Sequence, residues 1–132
     1  MAYTKFKELT KYFYFNEELD KKDLPKYTLD YLDKNEEIFK AYRTKRDKAL
    51  FTDKKMVLFD VDPLFDSKKI HIIPYHSISS AAVEFRSNSG SIQLSFDSGY
   101  QVRLDFVKLD SKAKTELRLL YMYIMNFVTK RD

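Results

Sequence analysis

Ile92-Gln93-Leu94-Ser95-Phe96-Asp97-Ser98-Gly99-Tyr100-Gln101-Val102-Arg103-Leu104-Asp105-Phe106 is the stretch whose reading decides the fold. Ile92, Leu94 and Phe96 share one phase, and Gln93, Ser95 and Asp97 the other. Asp97-Ser98-Gly99 is turn chemistry: Gly reaches backbone conformations a tight reversal needs, and Asp and Ser hydrogen-bond back to the main chain. Beyond the turn, Tyr100, Val102, Leu104 and Phe106 repeat the apolar phase against Gln101, Arg103 and Asp105. Side chains on a strand alternate between faces, so this is an antiparallel hairpin with one dry face and one wet face.

The same texture extends upstream. Val83 and Phe85 alternate with Glu84 and Arg86, and Ser87-Asn88-Ser89-Gly90 supplies the next turn. Lys69-Ile70-His71-Ile72-Ile73 reads as a strand closed by Pro74, which cannot donate to a ladder. Leu50-Phe51-Thr52 and Met56-Val57-Leu58-Phe59 are short apolar runs on either side of the charged turn Asp53-Lys54-Lys55. Residues 38–106 thus predict roughly seven antiparallel strands with short links, the spacing of an all-β barrel or sandwich rather than a parallel sheet.

Both flanks switch to a helical period. At the C-terminal end Asp110 or Ser111 can cap a helix, and Ala113, Leu117, Leu120, Ile124 and Phe127 form its apolar stripe, widened by Leu119, Tyr123 and Val128. That stripe is broad enough to cover the open end of a barrel, and Lys130-Arg131 suits the negative end of the helix dipole. At the N-terminal end Tyr3, Phe6, Leu9 and Phe13 are spaced as an amphipathic helix would place them. A charged connector over residues 16–23 leads to Leu24-Pro25, a reasonable helix start, and a short helix to about Lys34, ended by Asn35. The expected organisation is a helical extension over residues 1–34 and a β-rich domain over residues 35–132.

Composition narrows the function classes. The 132 residues are 44% hydrophobic, enough for one buried core in one domain. Lys and Arg number 24 against 20 Asp and Glu, a formal charge of +4, far less than a chain built to coat nucleic acid would carry. Nucleic acid is therefore a disfavoured partner. Cys is absent, which excludes disulfides, thiolate zinc sites and cysteine nucleophiles and fits a reducing compartment. Two Gly leave nothing for a Gly-rich phosphate loop. The charged N-terminus lacks a signal-peptide pattern, and no run approaches the ~18 apolar residues of a membrane span. The expectation is a soluble, cytoplasmic protein without cofactor or metal that at most visits a membrane surface.

Several words in this order resemble the bacterial pleckstrin-homology (PH-like) family. They are Glu36-Glu37-Ile38, Lys40-Ala41-Tyr42, Arg46-Asp47, Leu50-Phe51-Thr52-Asp53-Lys54-Lys55-Met56-Val57-Leu58, Lys68-Lys69 and Ile73-Pro74-Tyr75-His76-Ser77-Ile78. Val83-Glu84, Leu94 and the strand over residues 102–106 continue the pattern, which covers roughly residues 24–128. Asn35, where the family pattern has Gly, and Asp62-Pro63-Leu64-Phe65-Asp66, where it has a Gly-containing turn, are departures. The resemblance implies a mainly β fold: a PH-like antiparallel β-barrel of about seven strands, capped by a C-terminal α-helix. It also implies binding rather than catalysis, through a protein partner or a homo-oligomer, since relatives assemble into homo-oligomeric rings.

Candidate sites follow. Lys40, Arg43, Lys45, Arg46 and Lys48 crowd the first strand and its turn, and Lys54 and Lys55 occupy the next turn. Clustered Lys and Arg supply charge-assisted hydrogen bonds to phosphate oxygens. In lipid-binding relatives basic side chains near this hairpin hold inositol phosphates, so the resemblance implies an anionic ligand or membrane surface. The bland alternative is that these charges keep edges and turns from associating. Tyr12-Phe13-Tyr14-Phe15 is a continuous aromatic run that one helix face cannot bury, so the predicted helix must either dock on the barrel or meet a partner. Tyr121 and Met122, off the main stripe of the last helix, are candidates for the same interface.

Other motifs carry less. Val57-Leu58-Phe59-Asp60-Val61-Asp62 mimics an Asp-x-Asp phosphotransferase strand, but that chemistry needs Mg²⁺, a Lys and a parallel sheet. The reading is a strand running into an acidic turn, and Asp60, Asp62 and Asp66 lack the central Gly and closing Glu of a calcium loop. His71, expected to face outward between Ile70 and Ile72, and His76 have no accompanying ligand set. Ser77, Ser79 and Ser80 lack an oriented base and read as turn residues. A phage or plasmid setting for the gene would favour a small regulatory or host-interfering protein.

Overall fold

The computed structural model describes residues 10–62, 64 and 67–129. Among these residues the order is β1 (Thr10–Phe15), β2 (Glu17–Leu19), a 3-10 turn (Lys21–Asp23), α1 (Lys26–Leu29), β3 (Ile38–Arg43), β4 (Lys48–Thr52) and β5 (Lys55–Asp62). There follow β6 (Ser67–Pro74), a second 3-10 turn (Tyr75–Ser77), β7 (Ile78–Phe85), β8 (Ser89–Phe96), β9 (Gln101–Val107) and α2 (Ser111–Thr129). The mainly β chain ending in a long helix is as expected. The seven strands expected over residues 38–106 are β3 to β9, but neither sheet closes on itself as a barrel would. With β1 and β2, nine strands among the described residues form two sheets, one ordered β1-β9-β8-β7 and the other β2-β3-β4-β5-β6.

The helical extension also needs correction. Residues expected to end the first helix are β1, and Glu17–Leu19 is a further strand. Phe13 and Phe15 are each 1% exposed while Tyr12 and Tyr14 are 59% and 54% exposed, so the aromatic run alternates with period two. Tyr alternating with Phe hides that period, because a phenol counts as apolar in either phase although its hydroxyl suits water. Tyr3, Phe6 and Leu9 lie outside the described residues, as do Lys130 and Arg131. The helix expected over residues 23–34 shrinks to α1, in which the Thr28 hydroxyl donates to the Pro25 carbonyl at 2.6 Å.

The chain divides into two units. The first comprises residues 10–14 and 75–129 among those described. Its β8–β9 hairpin has the predicted register, with Ile92 opposite Leu104 and Leu94 opposite Val102, all buried. Gly99 closes the turn at φ 90°, a conformation that favours Gly. Asp110 is the helix cap, its Oδ1 accepting the Ala113 N–H at 2.8 Å. Leu117, Leu120, Ile124 and Val128 are the buried stripe of α2, whereas Leu119 is exposed. Phe127 stacks on Tyr75 at 4.7 Å and meets Tyr123 edge-on at 5.1 Å. Gly90 on β8 lets α2 approach: a Cβ there would lie 2.8 Å from Leu117 Cδ2 and 3.2 Å from the Glu84 carbonyl oxygen.

The second unit is residues 15–74. Every residue of β4 after Lys48 is buried, and so are Met56, Val57, Leu58 and Phe59 of β5, which explains their unbroken apolar spelling. One face of this sheet, Ala41, Leu50, Val57 and Phe59, packs with Leu24, and Tyr27, Tyr31 and Leu32 close over it. Tyr27 and Tyr31 each meet the Phe59 ring edge-on at 5.7 Å. His71 does not face outward as expected. It stands opposite buried Leu58 and is half-buried, whereas Ile72 is exposed.

Candidate functional site

The basic stretch lies on β3, β4 and their connecting turn. Thr44 and Asp47 shape that turn: the Thr44 N–H donates to the Asp47 carbonyl at 2.8 Å, and the Asp47 N–H donates back to the Thr44 hydroxyl at 3.0 Å. Of the seven cations singled out by sequence, four face a carboxylate. Lys40 pairs with Glu18 at 2.9 Å, Arg43 with Glu17 at 2.7 Å, Lys54 with Asp33 at 3.3 Å and Lys55 with Glu36 at 2.6 Å. β2 supplies the first two partners because its register sets Glu17 opposite Arg43 and Glu18 opposite Tyr42.

Glu36 is the most enclosed acid of this set. Its side chain is 0% exposed, beside a Lys55 side chain 16% exposed. It accepts from Lys55 Nζ, from the Asp33 N–H at 2.9 Å and from the Thr52 hydroxyl. Burial alone pushes the carboxyl up, but the hydrogen bonds from Lys55, Thr52 and Asp33 and the Lys55 charge together hold it below its ordinary value. Glu37 and Asp53 exchange backbone and side-chain bonds beside it, so the strand entry is tied to the β4–β5 turn. Lys55 is thus half of a structural pair.

The other three cations gather differently. Arg46 Nε donates to the Val61 carbonyl at 3.1 Å, and Lys45 is exposed. Lys48 Nζ lies 6.0 Å from the centroid of the Tyr27 ring, and Lys68 Nζ of β6 lies over the same ring at 3.7 Å. Among the described residues none of these four cations forms an ion pair. Sequence reading did not join Lys68 or Tyr27 to the hairpin; only the order β4-β5-β6 brings Lys68 onto the side of Lys48. Asp60 sits in β5 opposite Lys69 on an antiparallel partner, and among the described residues no three His, Asp or Glu side chains group to hold a metal ion.

The aromatic candidates separate by face. Phe13 and Phe15 are core residues, and Phe15 meets Tyr42 at 6.3 Å between ring centroids. Tyr12 and Tyr14 stand on the wet side of the four-stranded sheet. Tyr14 lines an open cleft of about 250 Å³ with Glu84, Arg86, Arg103 and Asp105. Tyr12 lines another of about 260 Å³ with Gln93, Gln101 and Arg103. Arg103 belongs to both, and a 2.9 Å bond to Asp105 orients it and holds its guanidinium even more firmly charged than usual. On α2 the Tyr121 hydroxyl donates to the Ala81 carbonyl at 3.4 Å, and Met122 is 59% exposed. Arg103, Asp105 and the two Gln were not singled out by sequence; their place on the wet phase of the hairpin was the available signal.

A family model described as Bacterial PH domain matches residues 9–128. The chain belongs to that family. Solved structures that share the fold of this bacterial PH domain include three from bacteria. One is a DUF1696 family protein with a pleckstrin-homology domain from Shewanella loihica PV-4, 22% identical, with TM-score 0.67, covering 86% of this chain and 98% of that one. Another is a pleckstrin homology domain from Shewanella amazonensis SB2B, 22% identical, with TM-score 0.58 and coverage of 83% and 89%. The third is a PH domain containing bacterial protein from Exiguobacterium sibiricum 255-15, 18% identical, with TM-score 0.62. The alignment with it covers 86% of this chain but 61% of that one. A comparison with curated proteins finds no match. PH domains are in general non-catalytic modules that bind proteins or lipids. Among the described residues no helix is long and apolar enough to cross a membrane.

Proposed function

We propose that this bacterial PH domain is a non-catalytic protein-interaction or homo-oligomeric assembly module whose contact surface is the wet face of the four-stranded sheet. The observation that carries this reading is the pair of half-exposed tyrosines, Tyr12 and Tyr14, set around Arg103. Tyr and Arg are the residue types that dominate binding energy at protein interfaces, because each offers a large apolar body with a hydrogen-bonding tip. The local charges balance, Arg86 and Arg103 against Glu84 and Asp105, which suits a protein surface better than a polyanion. Sedimentation equilibrium and light scattering of the wild-type chain and of Tyr12→Ala/Tyr14→Ala test it. Assembly, or capture of a partner, that disappears in the double variant supports the reading. A wild-type monomer at all concentrations with no tyrosine-dependent partner overturns it.

A second reading rests on the gathering of Lys48 and Lys68 around Tyr27, with Arg46 and Lys45 on the adjoining turn. Cations without carboxylate partners are free to serve phosphate oxygens of a lipid headgroup or nucleotide. Binding of phosphatidylserine vesicles or of nucleotide that falls after Arg46→Glu/Lys68→Glu supports it, and unchanged binding sinks it.

A further inference from the structure

We propose that β7 is an acceptor for strand addition. An extended peptide of a partner protein, apolar at alternating positions and acidic near one end, pairs with the open side of β7 and lies along α2. β7 is the last strand of its sheet, and among the described residues no strand pairs with its second side. An edge strand presents a row of backbone N–H and C=O groups that invites another chain, and proteins usually guard such rows with Lys or Pro. The edge strand β6 follows that practice, carrying Lys68 and Lys69 and ending at Pro74. β7 does not. Its stretch Ser79-Ser80-Ala81-Ala82-Val83 has no charge, no Pro and no side chain larger than Val, and Ser79, Ser80 and Ala82 are exposed.

Helix α2 supplies the flank of the site. The Tyr121 hydroxyl reaches the Ala81 carbonyl at 3.4 Å, and the Arg118 guanidinium lies over the Phe85 ring at 5.6 Å. In an antiparallel ladder the N–H and C=O of one residue turn the same way and neighbours alternate. A carbonyl taken by Tyr121 therefore marks Ala81, and Val83 two residues on, as turned away from β8. At 3.4 Å the hydroxyl bond is long and easily exchanged for a backbone donor. Met122, next to Tyr121 and exposed, adds a flexible thioether that adapts to apolar side chains. Arg118 forms no ion pair among the described residues, so an acidic side chain of the incoming strand would complement it. Backbone pairing supplies affinity and the α2 flank supplies selectivity, the division of labour of strand-addition sites. The site is separate from Tyr12 and Tyr14, so it stands or falls independently of the assembly reading.

The test is a selection of random nine-residue peptides displayed on phage against the full chain, followed by fluorescence polarisation of the enriched peptides. The expected peptides alternate apolar and polar residues and carry an acid near one end. Methylating their backbone nitrogens one at a time should abolish binding at every second position only, a readout that leaves the protein untouched. Met122→Glu should weaken binding about tenfold, the loss of one good contact, while Tyr121→Phe should tighten it by freeing the Ala81 carbonyl. Binding should survive Tyr12→Ala/Tyr14→Ala. No enrichment, or binding indifferent to N-methylation and to Met122→Glu, overturns the proposal. So does binding that requires Tyr12 and Tyr14, which would instead favour the assembly reading, or a dimer broken by Ser80→Lys, which would give the edge to a second copy.

Discussion

The two sheets handle their faces in opposite ways. In the five-stranded sheet the central strands β4 and β5 are dry on both sides, and Lys40, Arg43, Lys54 and Lys55 at its margins each face a carboxylate of the same unit. In the four-stranded sheet α2 packs against β7 and β8 on the dry face, and the other face stays wet with tyrosines, amides and balanced charges. The difference teaches where a ligand can act without unfolding anything. The five-stranded unit buries both faces of its central strands, and the four-stranded unit keeps one face open to solvent.

Substitutions can break or sharpen that contrast. The largest effect belongs to the doubly covered sheet: Phe59→Ala should cost about 3–5 kcal/mol by chemical denaturation, since the ring is fully buried and two tyrosines lean on it. Next is Glu36→Gln, which leaves Lys55 without its acid. A buried pair broken on one side loses about 3–5 kcal/mol, and the partial exposure of Lys55 should bring this case to the lower end or below. The same variant gives a pH signature. Glu36 is held below the ordinary carboxylate range when folded, so the unfolded chain takes up its proton first as pH falls. Its contribution is complete above the ordinary carboxylate pKa and is lost as pH drops through the lowered folded value. Denaturation midpoints measured against pH should therefore fall more steeply in acid for wild type than for Glu36→Gln.

Smaller effects follow, two of them in the four-stranded unit and one at the margin of the five-stranded sheet. Gly90→Ala should cost about 1–3 kcal/mol, because the added methyl crowds the buried Leu117 side chain and the Glu84 carbonyl oxygen and forces the packing to shift. Lys68→Ala should cost only about 0.5–1 kcal/mol, the worth of an exposed cation over an aromatic ring. Last comes Tyr12→Ala/Tyr14→Ala, expected within about 0.5 kcal/mol of wild type per site, as for exposed surface positions. If that double variant instead unfolds early, the wet face is structural and the contrast between the sheets fails.

The sequence made the β8–β9 hairpin and α2 legible because each obeys one period with polar residues on its wet side. The Asp110 cap and the Gly99 turn were readable for the same reason: each is a local rule with a local partner. β1 is not legible as a strand because tyrosines fill its wet phase and Phe13 falls in step with a helical spacing. The pairing of Lys55 with Glu36 spans 19 residues, and that of Lys40 with Glu18 spans 22, so no pattern of neighbours announces them. The basic stretch therefore looks free in the sequence although four of its seven candidate cations face a carboxylate. Lys68 and Tyr27, which the fold adds to the hairpin, meet only through the order of strands.

Asn16 separates β1 from β2, so one short run lends an outermost strand to each sheet. A shortened chain beginning beyond Leu19 would strip both at once. β9 and β3 would become bare rims, with main-chain groups searching for replacements and a corresponding tendency to precipitate. Anyone trimming this protein for expression should treat those opening residues as part of the framework rather than as a disposable leader.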